Sequence, residues 1–230
     1  MDWKKIELTC RRFLGRVYSP DLDIVKEVSF YGDTDDGGWP LWDEHVDSGS
    51  IVYSFGVGTN ISWEETIIKH FGLTVFSFDP NPMSISWLND KAVSARLRHH
   101  EIALGWKDSK ELFFLNRENI AGCGLVKSSE HREQIEVQCL TLSSIMKQLG
   151  HASIDVLKID IEGAEYEVID NILDSSVAIG QLLVEFHHRS KGDYTIKDTK
   201  KLVNRLKAAG YKLFWFSERG RELAFLNEKY

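Results

Sequence analysis

Ile51-Val-Tyr-Ser-Phe-Gly56-Val-Gly58-Thr-Asn60, followed by Thr74-Val-Phe-Ser-Phe-Asp79-Pro80-Asn81, is the pair of segments that decides the fold. Each opens with an apolar run that reads as a strand. The first run ends in two glycines and the second in a carboxylate. A helix reads between them: Trp63, Ile67 and Phe71 share one face, and Ser62 with Glu65 has the spacing of a capping box. Glycines at a strand end let the backbone approach a ligand closely. An acid closing the next strand accepts hydrogen bonds from ribose hydroxyls. Asp79 follows Gly58 by 21 positions, near the ~20 this geometry asks for. The pair points to a site that holds a nucleoside.

Working outward, strand and helix patterns keep alternating. A short helix is expected over 83–91 and a third strand near 97–103. Glu111–Asn116 and Gln134–Cys139 are strand-like and flank a loop with glycines and serines. Thr141–Leu149 reads as a helix and Ile154–Asp160 as a fourth main strand. Ala164, Val168, Ile169, Ile172 and Leu173 give another helix face, and Leu182–His187 a fifth strand. A long helix over Ile196–Ala209 is closed by Gly210. Tyr211–Phe216 and Glu222–Leu226 read as a final hairpin. Such alternation implies a mostly parallel sheet with helices on both faces, one edge strand antiparallel, and ligands outside the carboxyl ends of the strands. Upstream, Trp3, Ile6, Cys10, Phe13, Leu14 and Val17 recur at helical spacing before a turn-rich segment, Asp33 to Pro40. Residues 1–50 are therefore expected to be an N-terminal helical and turn-rich extension, and 51–230 the ligand-binding domain, the whole forming one globular unit.

Composition narrows the class. The chain has 230 residues, 43% of them hydrophobic, and a net charge of −7. That supports one sizeable core and makes nucleic acid a poor partner, since phosphate neutralisation needs clustered Lys and Arg. Cys10, Cys123 and Cys139 are scattered with no CxxC, which suits a reducing compartment and argues against a cysteine zinc site. No apolar run approaches the ~20 residues that span a bilayer. The expectation is a cytoplasmic protein with no membrane segment; oligomeric state stays open.

The nucleoside can be narrowed too. A dehydrogenase fingerprint needs a third glycine, and Ile61 stands at that position. S-adenosylmethionine carries no phosphate and does not need it. A nicotinamide-dependent oxidoreductase is the disfavoured alternative, and a non-catalytic module of the same fold is another. Ser54-Phe-Gly-Val-Gly-Thr-Asn60, Phe78-Asp-Pro-Asn-Pro82, Ala103-Leu-Gly105 and Leu157-Lys-Ile-Asp-Ile-Glu-Gly-Ala-Glu165 together resemble the FkbM-type S-adenosylmethionine-dependent methyltransferases. The resemblance covers roughly residues 32 to 190. It implies a class I methyltransferase, Rossmann-like α/β fold, with a seven-stranded sheet in the order 3-2-1-4-5-7-6, strand 7 antiparallel. It implies cofactor contacts from Gly56, Val57, Gly58, Asn60 and Pro80, ribose contact from Asp79 and adenine contact near Ala103. Many relatives carry an acid before the first glycine, where this chain has Tyr53-Ser54-Phe55. Asp36 or Asp160 is expected to take its place at the cofactor.

Transfer of a methyl group to a hydroxyl needs in-line placement and removal of a proton, by a base or with a metal. Asp160 ends the fourth strand, and Glu185 and His187 end the fifth on one face. These three are the candidate catalytic residues and, with magnesium or another divalent cation, the candidate metal ligands. Asp160 and Glu162 also suit helix-start capping. Glu165 reads as an exposed first-turn acid and His188 as a structural residue. Trp39, Trp42, Trp63 and Trp87 read as core packing or an acceptor pocket, and the loop Asn119–Ser129 as an acceptor lid. The expected acceptor is a hydroxyl on a small molecule or sugar, a preference that comes from the resemblance.

Overall fold

The protein is described by a computed structural model that covers residues 17–34, 37–130, 133–188 and 193–230. The helix expected from Trp3 onward lies outside the described residues, as does Asp36. A short antiparallel pair, β1 (Ser29–Tyr31) and β2 (Trp39–Leu41), precedes the main sheet. Then β3 (Ile51–Phe55), α1 (Ser62–Phe71), β4 (Thr74–Phe78), α2 (Pro82–Asn89) and β5 (Leu97–His100) alternate. The strands β6 (Ala103–Leu104), β7 (Ser109–Leu115) and β8 (Glu133–Leu140) form their own three-stranded sheet. The chain finishes with α3 (Leu142–Leu149), β9 (Ser153–Ile159), α4 (Glu165–Ser175), β10 (Ala178–Glu185), α5 (Ile196–Ala209), β11 (Tyr211–Phe216) and β12 (Glu222–Asn227).

The main sheet has seven strands in the order β5-β4-β3-β9-β10-β12-β11. β3, β4, β5, β9 and β10 pair in parallel, and β12 runs antiparallel to both neighbours. This is the 3-2-1-4-5-7-6 order with strand 7 reversed, the class I methyltransferase fold. Period-two alternation divides the two cores. Tyr53, Phe55, Phe78, Leu157 and Ile159 pack with Ile169 of α4 and Leu206 of α5. Val52, Val75, Val156 and Leu183 pack with Trp63 and Ile67 of α1. Because the strands are parallel, Gly56, Asp79, Asp160 and Glu185 all fall on one edge of the sheet.

Three local expectations change. The third strand does not run to residue 103: the Ile102 N–H bonds the His100 carbonyl, which turns the chain, and Ala103 pairs with Cys139 in the smaller sheet instead. The Ser62–Glu65 capping box does not form. Ser62 is the first helical residue, with Ile61 at the cap; its Oγ accepts the Asp33 N–H at 3.0 Å, and Asn60 Oδ1 accepts the Ser62 N–H at 3.0 Å. The turn-rich segment joins the β1–β2 pair, which puts Tyr31, Trp39 and Leu41 into the same core as Trp63. Gln181 of β10 ties Trp42 down through both the backbone N–H (3.2 Å) and carbonyl (2.7 Å). No helix among the described residues is long and apolar enough to cross a membrane.

Candidate functional site

The two loop glycines do different things. Gly56 has φ +78°, and a Cβ there would lie 1.5 Å from the Asp160 carbonyl oxygen. The crossing from β3 passes so close to the end of β9 that only glycine fits. Gly58 has φ +53°, and a Cβ there would meet nothing within 4 Å. Its open side faces a cleft, the arrangement that lets a ligand approach backbone. Asp79 organises this loop: Oδ2 accepts the Gly58 N–H and Oδ1 the Asn81 N–H, both at 2.9 Å. Burial pushes the Asp79 carboxyl above its ordinary range, and the two backbone donors oppose that. Asn81 in turn caps α2 by accepting the Met83 N–H.

Gly56, Val57, Gly58, Asn60, Asp79, Pro80, Ala103 and Asp160 all line this one cleft. Its volume, open mouth included, is about 990 Å³, within the range of small-molecule sites. Ile102, Leu104 and Phe113 form an apolar wall, and Ile120, Cys123 and Leu125 bring the Asn119–Ser129 loop over it. An apolar wall on one side and a carboxylate beside open glycine backbone on the other suit an adenine ring and a ribose. The residues present therefore fit S-adenosylmethionine.

A second group gathers at the ends of β9 and β10. His187 is buried, its Nδ1 2.8 Å from Glu165 Oε1. Its Nε2 lies 3.4 Å from Glu162 Oε1, 3.8 Å from Glu185 Oε1 and 3.9 Å from Asp160 Oδ1. Burial opposes charge on the imidazole, but Glu165 and Glu162 outweigh it and hold the pKa well above the ordinary value. Burial also raises the carboxyls of Asp160 and Glu185. Lys158 opposes the rise at Asp160, while the nearby Asp160 adds to it at Glu185. Candidate ligand atoms of Asp160, Glu185 and His187 lie within 4.8 Å of one another. Asp160 Oδ1 is buried with no hydrogen-bond partner among the described residues, which leaves a lone pair open toward a cation or a donor.

Glu165 corrects its expectation. It is fully buried, not exposed. The turn before α4 places Glu162 at φ +57°. The Glu165 carboxylate folds back to accept the N–H groups of Ile161 (3.1 Å) and Gly163 (3.0 and 3.1 Å) while holding His187. It thus ties down the turn that leads into α4; the helix-start capping expected of Asp160 and Glu162 does not form, the cap position being Ala164 with no side-chain cap bond among the described residues. His188 is buried against Thr199 Oγ1 at 3.1 Å.

A second cavity adjoins the first. Gly37, Trp39 and Asp160 line both. Its far wall comes from Glu185, Trp215, Glu218, Arg219 and Glu222. Of the four tryptophans singled out, Trp39 reaches the cavities, Trp63 is fully buried in the core, and Trp42 and Trp87 pack against it. Sequence reasoning missed Glu64, a fully buried acid on the cleft whose Oε1 accepts the Ser54 hydroxyl at 2.5 Å. Its signal was faint: an acid in the first turn of an amphipathic helix ordinarily faces water.

A family model described as "Methyltransferase FkbM domain" matches residues 56–213. A rat protein named "Probable methyltransferase-like protein 24" is 30% identical over 168 residues, covering 72% of this chain and 38% of its own length. The human protein of that name is 30% identical over 138 residues, 59% of this chain and 32% of its own. This chain thus spans less than two fifths of these curated relatives. Among solved structures, the Methanococcus jannaschii fibrillarin pre-rRNA processing protein aligns with a TM-score of 0.49 at 11% identity, over 79% of this chain and 68% of its own.

Proposed function

The chain belongs to the FkbM methyltransferase domain family, and on that premise we propose that it is an S-adenosylmethionine-dependent methyltransferase acting on a hydroxyl of a small molecule or sugar. One observation carries the division of labour: Asp160 lines both cavities. The cofactor, when bound, supplies an electrophilic methyl group on a sulfonium sulfur. The glycine loop and Asp79 hold its nucleoside, and the acceptor enters beside Trp39 and Trp215. Asp160 stands at the junction and receives the acceptor's proton. Its raised pKa suits a base working near neutrality. His187, clamped by Glu165, keeps the neighbouring carboxylates in place as their counter-charge. The oxidoreductase alternative is disfavoured because Ile61 is buried in the core where a third glycine would be needed.

A metal-assisted version has a specific observation in its favour, the orphaned Asp160 Oδ1. Asp160, Glu185 and His187 would hold the ion, which would lower the acceptor hydroxyl's pKa. Glu165 on Nδ1 would orient the histidine. The test has two arms. Calorimetry with S-adenosylhomocysteine, NAD and NADP should give binding by the first alone. Methyl-labelled cofactor with pools of hydroxylated small molecules should then yield base-stable methyl ethers. Turnover that survives exhaustive chelation supports the base; loss restored by magnesium or manganese supports the metal. Binding of a nicotinamide nucleotide in place of the thioether would overturn the reading.

A further inference from the structure

On the sheet face toward α1, the strands change character as they near their carboxyl ends. Val52, Val75 and Val156 are apolar, and two residues on stand Ser54, Ser77 and Lys158. Ser54 sits in register between Ser77 and Lys158. Glu64 comes down from the first turn of α1 onto Ser54. Glu64 and Lys158 are 1% and 5% exposed, and both line the cofactor cleft. Lys158 Nζ lies 4.0 Å from Glu64 Oε1 and 5.4 Å from the centre of the Trp39 ring.

This is an uneconomical way to build a core. Each buried ion carries a desolvation penalty of several kcal/mol, and a pair recovers it only with close geometry and further hydrogen bonds. At 4.0 Å the two groups attract but share no hydrogen bond. Apolar residues of the same volume would pack there at least as well. What the arrangement does offer is one cation and one anion side by side on the wall of a cleft. The ligand proposed above carries the complementary pair: its amino-acid end is a zwitterion, an α-carboxylate beside an α-ammonium.

We propose that Lys158 and Glu64 hold the amino-acid end of S-adenosylmethionine, Lys158 binding the α-carboxylate and Glu64 the α-ammonium, with Trp39 closing over them. The assignment rests on the cofactor reading above and deepens it. Ser54 steadies Glu64 by donating its hydroxyl, which leaves the second carboxylate oxygen for the ligand. Trp39 arrives on β2, so the segment before the main sheet completes the cofactor site as well as the second cavity.

The test compares two nucleoside thioethers by calorimetry: S-adenosylhomocysteine and 5′-methylthioadenosine, which lacks the amino-acid end. The unaltered protein should bind the first more tightly by at least tenfold. Lys158→Met should lower its affinity by about 10- to 100-fold, the worth of a charge-assisted contact, and leave 5′-methylthioadenosine within twofold. Glu64→Gln keeps the volume and the Ser54 bond, and should reduce the same ratio with less risk to the fold. If both variants weaken the two ligands equally, or leave the ratio unchanged, Lys158 and Glu64 are structural and the assignment is wrong. Equal affinity of the unaltered protein for both ligands overturns the assignment alone. Binding of neither overturns the cofactor reading with it.

Discussion

The ends of β3 and β4 and the ends of β9 and β10 lie on the same edge of one sheet, yet they are built on opposite principles. At β3 and β4 a single carboxylate is satisfied by backbone: Asp79 takes N–H groups from Gly58 and Asn81. At β9 and β10 four carboxylates surround one imidazole, and Asp160 Oδ1 has no donor among the described residues. The first is a carboxylate fully engaged by backbone donors, the seat proposed above for the nucleoside. The second is an unbalanced cluster whose protonation states are shifted by burial and by the charges of its own members. Damage to the first should therefore appear in folding and affinity, and damage to the second in turnover.

The largest effect expected is at the point where the two regions touch. Gly56→Ala would drive a methyl into the Asp160 carbonyl, with a positive φ in addition. A loss of more than ~3 kcal/mol is expected, read as a collapse of the denaturant midpoint. Gly56→Ala protein that melts like the unaltered one would mean that the contact between the regions relaxes easily. Next, Asp160→Asn should lower turnover about 10²-fold, ~2.7 kcal/mol in barrier. Its affinity for S-adenosylhomocysteine should stay within about threefold. A variant that loses affinity and rate together would erase the distinction drawn here. Asp79→Asn should do the converse, weakening the thioether about tenfold with a smaller change in turnover at saturation. Gly58→Ala, whose added methyl meets open space, should cost only ~1 kcal/mol of stability from its φ of +53°. Its ligand affinity should fall further than its melting temperature suggests.

The smallest effect concerns pH. His99 and His100 lie on β5 and His151 follows α3, and burial holds each below the ordinary histidine pKa. A depressed folded pKa means that the neutral imidazole is the form the fold prefers. Their contribution is complete above the unfolded value of about 6.5 and is lost as pH falls below it. Melting temperature should decline between pH 7 and pH 5, and a His100→Gln variant should flatten that decline. An unchanged slope would show that the imidazoles are hydrated enough to charge in place.

Legibility in the sequence tracked how local each feature is. The glycine loop and Asp79 could be read because strand, turn and acid are contiguous, and the inner parallel strands β3, β4, β9 and β10 because burial on both faces makes each a mostly apolar run. β1 and β2 could not: three residues are too few to show a period. Glu64 and Glu165 were hidden for a common reason. First-turn acids ordinarily face solvent, and only the tilt of α1 onto Ser54, and the turn before α4, fold these two inward. Lys158 stands in the Leu157–Glu165 motif, but its partner Glu64 comes from a helix 94 positions upstream.

The sheet order was legible only through the family resemblance; the sequence by itself determined the alternation of strands and helices, the edge of the sheet on which the cleft lies and the glycine–acid pair that lines it. Those follow from periodicity and backbone conformation, which neighbouring residues dictate. Tertiary structure alone decided which acids meet His187, that Asp160 looks into two cavities, and that Lys158 lies opposite Glu64. Interactions between charges depend on separations of a few ångströms and on the removal of water, and both arise only when distant segments pack together.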